Sequence, residues 1–313
     1  MLPRGATREP RTTMAGVIRL ADRYELRHVV GRGGMGSVWA ARDVRSGRDV
    51  AVKTAEALPE ETSALRREAA LAASVDHPGV VDVHDAGHDG ATAYLVMDLL
   101  DGPDLAAVLD DGPVPPAEAM RIAHGVADAL AAVHGAGVVH ADVKPANVML
   151  SEDAVVLVDF GVAAASPDDD AGPVTFGTAP YMAPEQVASS PATAASDVYA
   201  LGCLLTATLA GRPPFTADSP TEVLRHHVRA TAPRLRELLP GVPARLDELV
   251  ATMLDKDPAG RCSAAEVRDV LAELREDVPL PPRPLRPVGD LTARLDPDAT
   301  RPILEVLDLP SAA

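Results

Sequence analysis

His140-Ala-Asp-Val-Lys-Pro-Ala-Asn-Val-Met-Leu150 is the stretch on which the reading of this chain turns. The pattern predicts a short loop running into a strand: Pro145 stiffens the turn and Val148-Met-Leu150 begins an apolar run. Asp142, Lys144 and Asn147 place a carboxylate, an ammonium and an amide within six positions. Asp159-Phe-Gly161 follows a second apolar stretch, Val155 to Val158, that reads as the next strand. Such a set suits orienting a hydroxyl, steadying a phosphate and holding Mg²⁺. Short motifs also arise by chance in loops, so the rest of the chain has to carry the reading.

The chain has 313 residues, 47% of them apolar and 24% charged, which is the composition of a globular protein with a substantial core. Its formal net charge of −17 argues against a nucleic-acid partner, which would require basic surface. The two cysteines, Cys203 and Cys262, lie in apolar or helical contexts without metal spacing, so a reducing cytoplasmic setting is expected. No apolar run reaches the roughly 18–20 residues of a membrane span. The closest, Val198 to Gly211, is fenced by Asp197 and Arg212 and reads as a buried helix. The N-terminus carries arginines without an apolar stretch behind them, so it does not read as a signal peptide. Lysine occurs only three times, as Lys53, Lys144 and Lys256, although arginine is used freely. A lysine kept against that bias points to a need for a compact charge on a flexible stem.

Taken in order, residues 1–22 lack periodicity and read as a disordered extension. Tyr24 to Val30 alternates like a strand, Gly31-Arg-Gly-Gly-Met-Gly36 follows, and a second strand runs from Val38 to Ala41. Because a strand rather than a helix follows the glycines, a dinucleotide fold is excluded. A hairpin of this kind lets backbone N–H groups close over phosphates, and Gly31, Gly33 and Gly36 permit the approach; taken alone, it reads equally as a flexible turn. Lys53 ends the strand Asp49 to Lys53 and is placed to reach phosphates or, as plausibly, solvent. Glu68, on a helix expected from Thr62 to Ser74, lies on the face of Leu65 and Ala72 and is the expected partner of Lys53. Val80 to Val83 and Ala93 to Met97 read as strands, and Asp98 to Pro103 as a hinge whose backbone could read adenine. Further helices are expected at Leu105 to Leu109, Pro116 to Gly135, Thr221 to Ala230, Pro243 to Leu254 and Ser263 to Glu276, the last opened by a Ser263–Glu266 capping box. From Val278 the chain becomes proline-rich and reads as an extended tail, with an apolar island at Ile303 to Leu309.

The whole set resembles the bacterial Hanks-type (eukaryotic-like) serine/threonine protein kinases, over about residues 24–275. The glycine loop, Val50-Ala-Val-Lys53, Glu68, the catalytic loop, Asp159-Phe-Gly161, Gly177-Thr-Ala-Pro-Tyr-Met-Ala-Pro-Glu185, Ser196-Asp-Val-Tyr-Ala-Leu-Gly202 and Arg261 occur in the family's order. The resemblance implies an α+β, two-lobed fold: a β-rich N-lobe at 23–98 and a helical C-lobe at 103–277, between the extension 1–22 and the tail 278–313. It implies Asp142 as the residue that orients the acceptor hydroxyl, Lys144 beside the γ-phosphate, and Thr178 as their partner in shaping the acceptor groove. Asn147 and Asp159 would hold Mg²⁺, or Mn²⁺ in its place. ATP would be held by Val30, Gly31, Gly33, Gly36, Val38, Ala51, Lys53, Glu68, Met97 (the gatekeeper), Asp98, Leu100 and Met149. Glu185 and Arg261 would form a buried ion pair, and Asp197 would brace the catalytic-loop backbone. Protein substrates with Ser or Thr acceptors are implied, the chain itself among them, and N-lobe homodimers occur in the family.

One departure matters. The family's His-Arg-Asp is here His140-Ala-Asp142, and no basic residue follows Asp159-Phe-Gly161. A phosphate added near Asp168-Asp-Asp170 would meet carboxylates instead of an arginine. Phosphorylation of Thr175 or Ser166 is therefore not expected to be the on-switch, unless basic side chains around Arg66 compensate. The family often continues into a membrane helix and an outer sensor domain. This chain stops before one, so a soluble enzyme is expected. Two rivals are a pseudokinase, disfavoured by the complete set Lys53, Glu68, Asp142, Asn147 and Asp159, and a small-molecule phosphotransferase, disfavoured by Thr178 and the Ala-Pro-Glu segment.

Overall fold

A computed structural model of the chain describes residues 18–33, 36–56, 58–151, 154–160 and 177–276. Thr175, Ser166, the Asp168-Asp-Asp170 run, Gly161 and the proline-rich tail lie outside the described residues. Within them the chain divides into two compact units, 18–76 with 81–101 and 77–80 with 102–276. The first is mainly sheet and the second mainly helix, which is the two-lobed α+β organisation expected from the sequence.

The first unit is an antiparallel sheet of β1 (Ile18–Leu20), β2 (Tyr24–Gly33), β3 (Gly36–Asp43), β4 (Asp49–Glu56), β5 (Val83–Asp89) and β6 (Thr92–Asp98), in the order β1-β2-β3-β4-β6-β5. β1 falls within the segment read as irregular, and it pairs Ile18 to Leu26 and Leu20 to Tyr24. Leu20, Tyr24, Val50, Val52 and Val96 form the core of one face. The turn after β1 and the turn before β4 are tied by Arg23, whose Nε and Nη2 donate to Asp43 at 2.9 and 2.8 Å. Asp43, also held by the Arg45 N–H and the Ser46 hydroxyl, is kept well below the usual carboxylate range, first by the Arg23 hydrogen bonds. Helix α1 (Pro59–Ala72) starts before the expected Thr62, because Pro59 supplies a preset φ in the first turn. It buries Leu65, Ala69 and Ala72, with Glu68 on the same face.

The expected strand Val80 to Val83 is displaced. Strand β5 runs from Val83 to Asp89, through Val-His-Asp-Ala-Gly-His-Asp. As an edge strand it needs few apolar residues, and Gly87 is fixed because a Cβ there would stand 2.7 Å from the Tyr94 hydroxyl. Val80 instead bridges Leu157 in the second unit.

That second unit is built on α3 (Pro116–Gly135) and, later in the chain, α5 (Ala194–Ala210), preceded by α2 (Leu105–Asp110) and the hairpin β7 (Val148–Leu150) and β8 (Val155–Leu157). A short α4 (Pro184–Val187) lies between the hairpin and α5, and α6 (Pro220–Arg229), α7 (Leu235–Leu238), α8 (Ala244–Met253) and α9 (Ala264–Glu276) follow. Helix α5 is buried along almost its whole length, from Ser196 to Leu209. It begins four residues before the apolar run, where the Thr193 N–H donates to the Ser196 hydroxyl at 3.0 Å, and this start brings Asp197 into the first turn. Gly202 lets it close on Met253 and Leu254, and Gly125 lets α3 close on Val155. At the start of α9, Glu266 accepts from the Ser263 N–H and hydroxyl at 2.7 and 2.8 Å, the expected capping box. Asp104 is the cap of α2: its side chain accepts the Ala107 N–H at 2.7 Å.

Gly102 holds the entry to this unit beside the hairpin. Its φ is 134°, and a Cβ there would stand 2.0 Å from the Leu150 carbonyl oxygen. Gly102→Ala is expected to destabilise the chain by about 3 kcal/mol, read as a lower urea midpoint of unfolding. An unchanged midpoint would show that the backbone yields there without strain.

Candidate functional site

The loop from His140 to Asn147 is shaped by a carboxylate from α5. Asp197, 1% exposed, accepts the His140 N–H at 2.9 Å and the Ala141 N–H at 2.8 Å. His134, at the end of α3, reaches the same carboxylate through Nε2 at 2.9 Å. Ala141 lies at φ 66° and Asp159 at φ 57°, both unusual for residues other than glycine. Gln186 on α4 donates to the Ala141 carbonyl at 3.2 Å, so both backbone groups of Ala141 are held. His140 is fully buried and packs on the Phe160 ring at 4.8 Å; burial pushes its pKa down, so it is neutral at pH 7. Its Nε2 meets the Val158 carbonyl at 3.2 Å, which joins the loop to the end of β8.

On this frame the predicted polar groups converge. Lys144 Nζ donates to Asp142 Oδ2 at 2.7 Å and to Thr178 Oγ1 at 3.0 Å. Asn147 Nδ2 donates to the Asp142 carbonyl at 2.9 Å and to its Oδ2 at 3.0 Å, and lies 3.5 Å from the Asp159 carbonyl. The Val158 N–H returns to the Asn147 carbonyl at 3.0 Å. Asp142, Lys144, Asn147, Asp159 and Thr178 thus meet in one unit, from three separate stretches of sequence. Lys144 and Asp142 remain about one-fifth exposed, so the group is reachable from solvent.

In the first unit, Lys53 on β4 donates to both oxygens of Glu68 on α1, at 2.8 and 3.0 Å. The pair is shielded, with 16% and 7% of the side chains exposed. Val38 faces Lys53 across β3 and β4, and Ala51 pairs with Met97, both buried at the neighbouring register positions of β4 and β6. Gly31 and Gly33 end β2 and Gly36 opens β3. Gly36, at φ 140°, has the Thr54 carbonyl 1.8 Å from where a Cβ would sit. Val30 is exposed at the root of the loop. Asp98 donates its N–H to the Asp82 carbonyl at 3.0 Å and its side chain meets His84 at 2.6 Å; Leu100 follows outside regular structure. Met149 belongs to β7 in the second unit, where it bridges Asp104.

Glu185 and Arg261 form the expected pair, at 2.7 and 2.9 Å, with the Arg261 side chain wholly buried. Ser196 donates to Glu185 at 2.7 Å and Arg261 donates to the Ala195 carbonyl at 2.9 Å. Removing one partner of such a pair typically costs about 3–5 kcal/mol. The sequence reading missed His134 and Gln186. His134 closes an otherwise ordinary alanine-rich helix, and Gln186 is one residue beyond the Ala-Pro-Glu motif, so neither carries a spacing signal.

The donor chemistry fits a hard cation. Asn147 turns its amide N–H groups to Asp142, leaving Oδ1 for an ion, and Asp159 adds a carboxylate. Among the described residues no cluster of three or more His, Cys, Asp or Glu side chains is placed to hold a metal ion. Among them also, no helix is long and apolar enough to cross a membrane.

Residues 24–270 match the model of the protein kinase domain. The chain is similar to the serine/threonine-protein kinase PknB of Mycobacterium leprae, 42% identical over 83% of this chain and 44% of the relative. It is also similar to the serine/threonine-protein kinase PknE of Mycobacterium bovis, 40% identical over 76% of this chain and 43% of the relative. A probable serine/threonine-protein kinase of Streptomyces coelicolor is 40% identical over 83% of this chain and 40% of its own length. The chain therefore spans less than half the length of these relatives. With that match over most of its length, and with the ordered motifs brought into one geometry, the chain belongs to the protein kinase family.

Proposed function

We propose that this chain is a serine/threonine protein kinase that transfers the γ-phosphoryl group of ATP to Ser or Thr hydroxyls of proteins, itself included. The observation that supports it most is the Lys144 ammonium shared between Asp142 and Thr178, with the Asn147 amide on the other side of the same carboxylate. Asp142 would orient the acceptor hydroxyl and take its proton as the oxygen–phosphorus bond forms and ADP leaves. Lys144 would offset charge on the transferring phosphoryl group, and Thr178 would hold Lys144 and the acceptor in register. Lys53, fixed by Glu68, would hold the ATP phosphates, with Gly31, Gly33 and Gly36 presenting backbone N–H groups. Val30, Val38, Ala51, Met97 and Met149 would pack on the adenine, and Asp98 and Leu100 would read its edge through their backbone. Asn147 and Asp159 would hold Mg²⁺, or Mn²⁺ in its place, which supplies charge neutralisation on the phosphates when bound. Positioning and charge carry the rate, with no covalent intermediate on the enzyme.

The acidic chain and its thiols suit a cytoplasmic setting without nucleic-acid partners, and an N-lobe homodimer remains part of the proposal. Among protein acceptors and small alcohols, protein is favoured because Thr178 and Glu185 order the segment beside Asp142.

Asp142→Asn and Lys53→Met are each expected to lower phosphate transfer from radiolabelled ATP by at least about 10²–10⁴-fold while the circular dichroism melt is retained. Full turnover in either variant refutes the assigned role. Because both backbone groups of Ala141 are held by Asp197 and Gln186 without an arginine at that position, Thr175→Ala is expected to keep turnover within about threefold. A collapse of activity in that variant would show that phosphate on this segment is the switch after all.

A further inference from the structure

Lys256, the one lysine outside the site, is built into the second unit. Its Nζ donates to the His227 carbonyl at 2.7 Å and to the Tyr199 hydroxyl at 3.2 Å, and lies 4.4 Å from the centre of the Phe215 ring. Tyr199 and His227 are both 0% exposed, and the Tyr199 hydroxyl meets His227 Nδ1 at 2.9 Å. An ammonium only donates, so the hydroxyl accepts from Lys256 and gives its own proton to Nδ1. Nδ1 is then an acceptor and the imidazole is neutral, with its proton on Nε2. Burial pushes the His227 pKa down to about 3, in keeping with that tautomer, and pushes Lys256 down to about 8, which leaves it mostly charged at neutral pH. Nε2 is buried beside the Pro180 carbonyl and completes no well-formed hydrogen bond.

The donors therefore run in one direction, from Lys256 through Tyr199 and His227 toward Pro180. Pro180 belongs to the turn Ala179–Tyr181, which directly follows Thr178. Val223 and Leu224 on α6 pack with Ala179 and Val187 in a separate apolar cluster, so this turn and α4 rest on the same helix that carries His227. We propose that Lys256 is a positioning residue for the protein acceptor: through Tyr199 and His227 it fixes α6 under the Ala179–Tyr181 turn and so sets the acceptor groove beside Thr178, without acting on ATP. The inference rests on the kinase reading for its kinetic part only.

The test uses the full chain as wild type, Lys256→Met, Lys256→Arg and Tyr199→Phe, with myelin basic protein as acceptor. Lys256→Met is expected to raise the acceptor KM about tenfold with the ATP KM within about twofold, and Lys256→Arg to recover much of the loss. Hydrogen exchange should quicken at the Tyr181, Gln186 and Val187 amides, while the His140 and Ala141 amides stay protected. Equal rises in both KM values, or unchanged exchange at Tyr181, overturn the inference. Should Lys256→Met not fold, Tyr199→Phe, which removes only the hydroxyl that joins Lys256 to His227, decides it by the same readouts. A wild-type chain that transfers no phosphate contradicts the kinase reading instead, and the exchange measurement then decides this inference alone.

Discussion

A buried carboxylate holding two backbone N–H groups is the constraint on which the rest of the site depends. Asp197 accepts from His140 and Ala141 at a point where the chain takes the left-handed conformation at a residue that is not glycine. Such strain persists only where the surroundings over-determine it. Here they do so with charge-assisted hydrogen bonds in a dry environment, where those bonds are strong. The carboxylate is itself placed by the first turn of α5, where the helix dipole favours negative charge. Its neighbour His134 supplies a third contact.

Helix α5 distributes this order in several directions within a few residues. Ser196 reaches Glu185, and with it Arg261; Asp197 reaches the loop from His140 to Asn147; Tyr199 reaches His227 and Lys256. Because the helix is buried from Ser196 to Leu209, these side chains have little freedom to trade partners. The proposed function, positioning a hydroxyl and neutralising charge, needs such a frame more than it needs reactive groups. In the first unit the comparable frame is the Lys53–Glu68 pair, held between strand and helix.

Much of this was legible in the sequence because each motif pairs a special residue with a backbone requirement. Gly36 stands at an unusual φ against the Thr54 carbonyl, Ser196 accepts the Thr193 N–H at the start of one helix, and Ser263 with Glu266 caps another. Asp142, Lys144 and Asn147 were readable because three unlike polar groups in six positions rarely serve packing. Legibility failed where tertiary context outweighs local pattern. Strand β5 is polar because it lies at a sheet edge, so its alternation carried no apolar signal and the apolar pair Val80-Val81 drew the assignment instead. His134, Gln186 and the Lys256–Tyr199–His227 chain come from distant stretches whose meeting no spacing announces.

The account stands or falls on whether Asp197 sets the geometry of the loop that carries Asp142. Asp197→Asn keeps the shape of the side chain but puts an amide N–H₂ against one of the two backbone donors. The measurement is kcat together with hydrogen exchange at the His140 and Ala141 amides. A fall in kcat of about 10–100-fold, with faster exchange at those two amides and a retained fold, is the predicted result. Wild-type kcat with both amides still protected would contradict it.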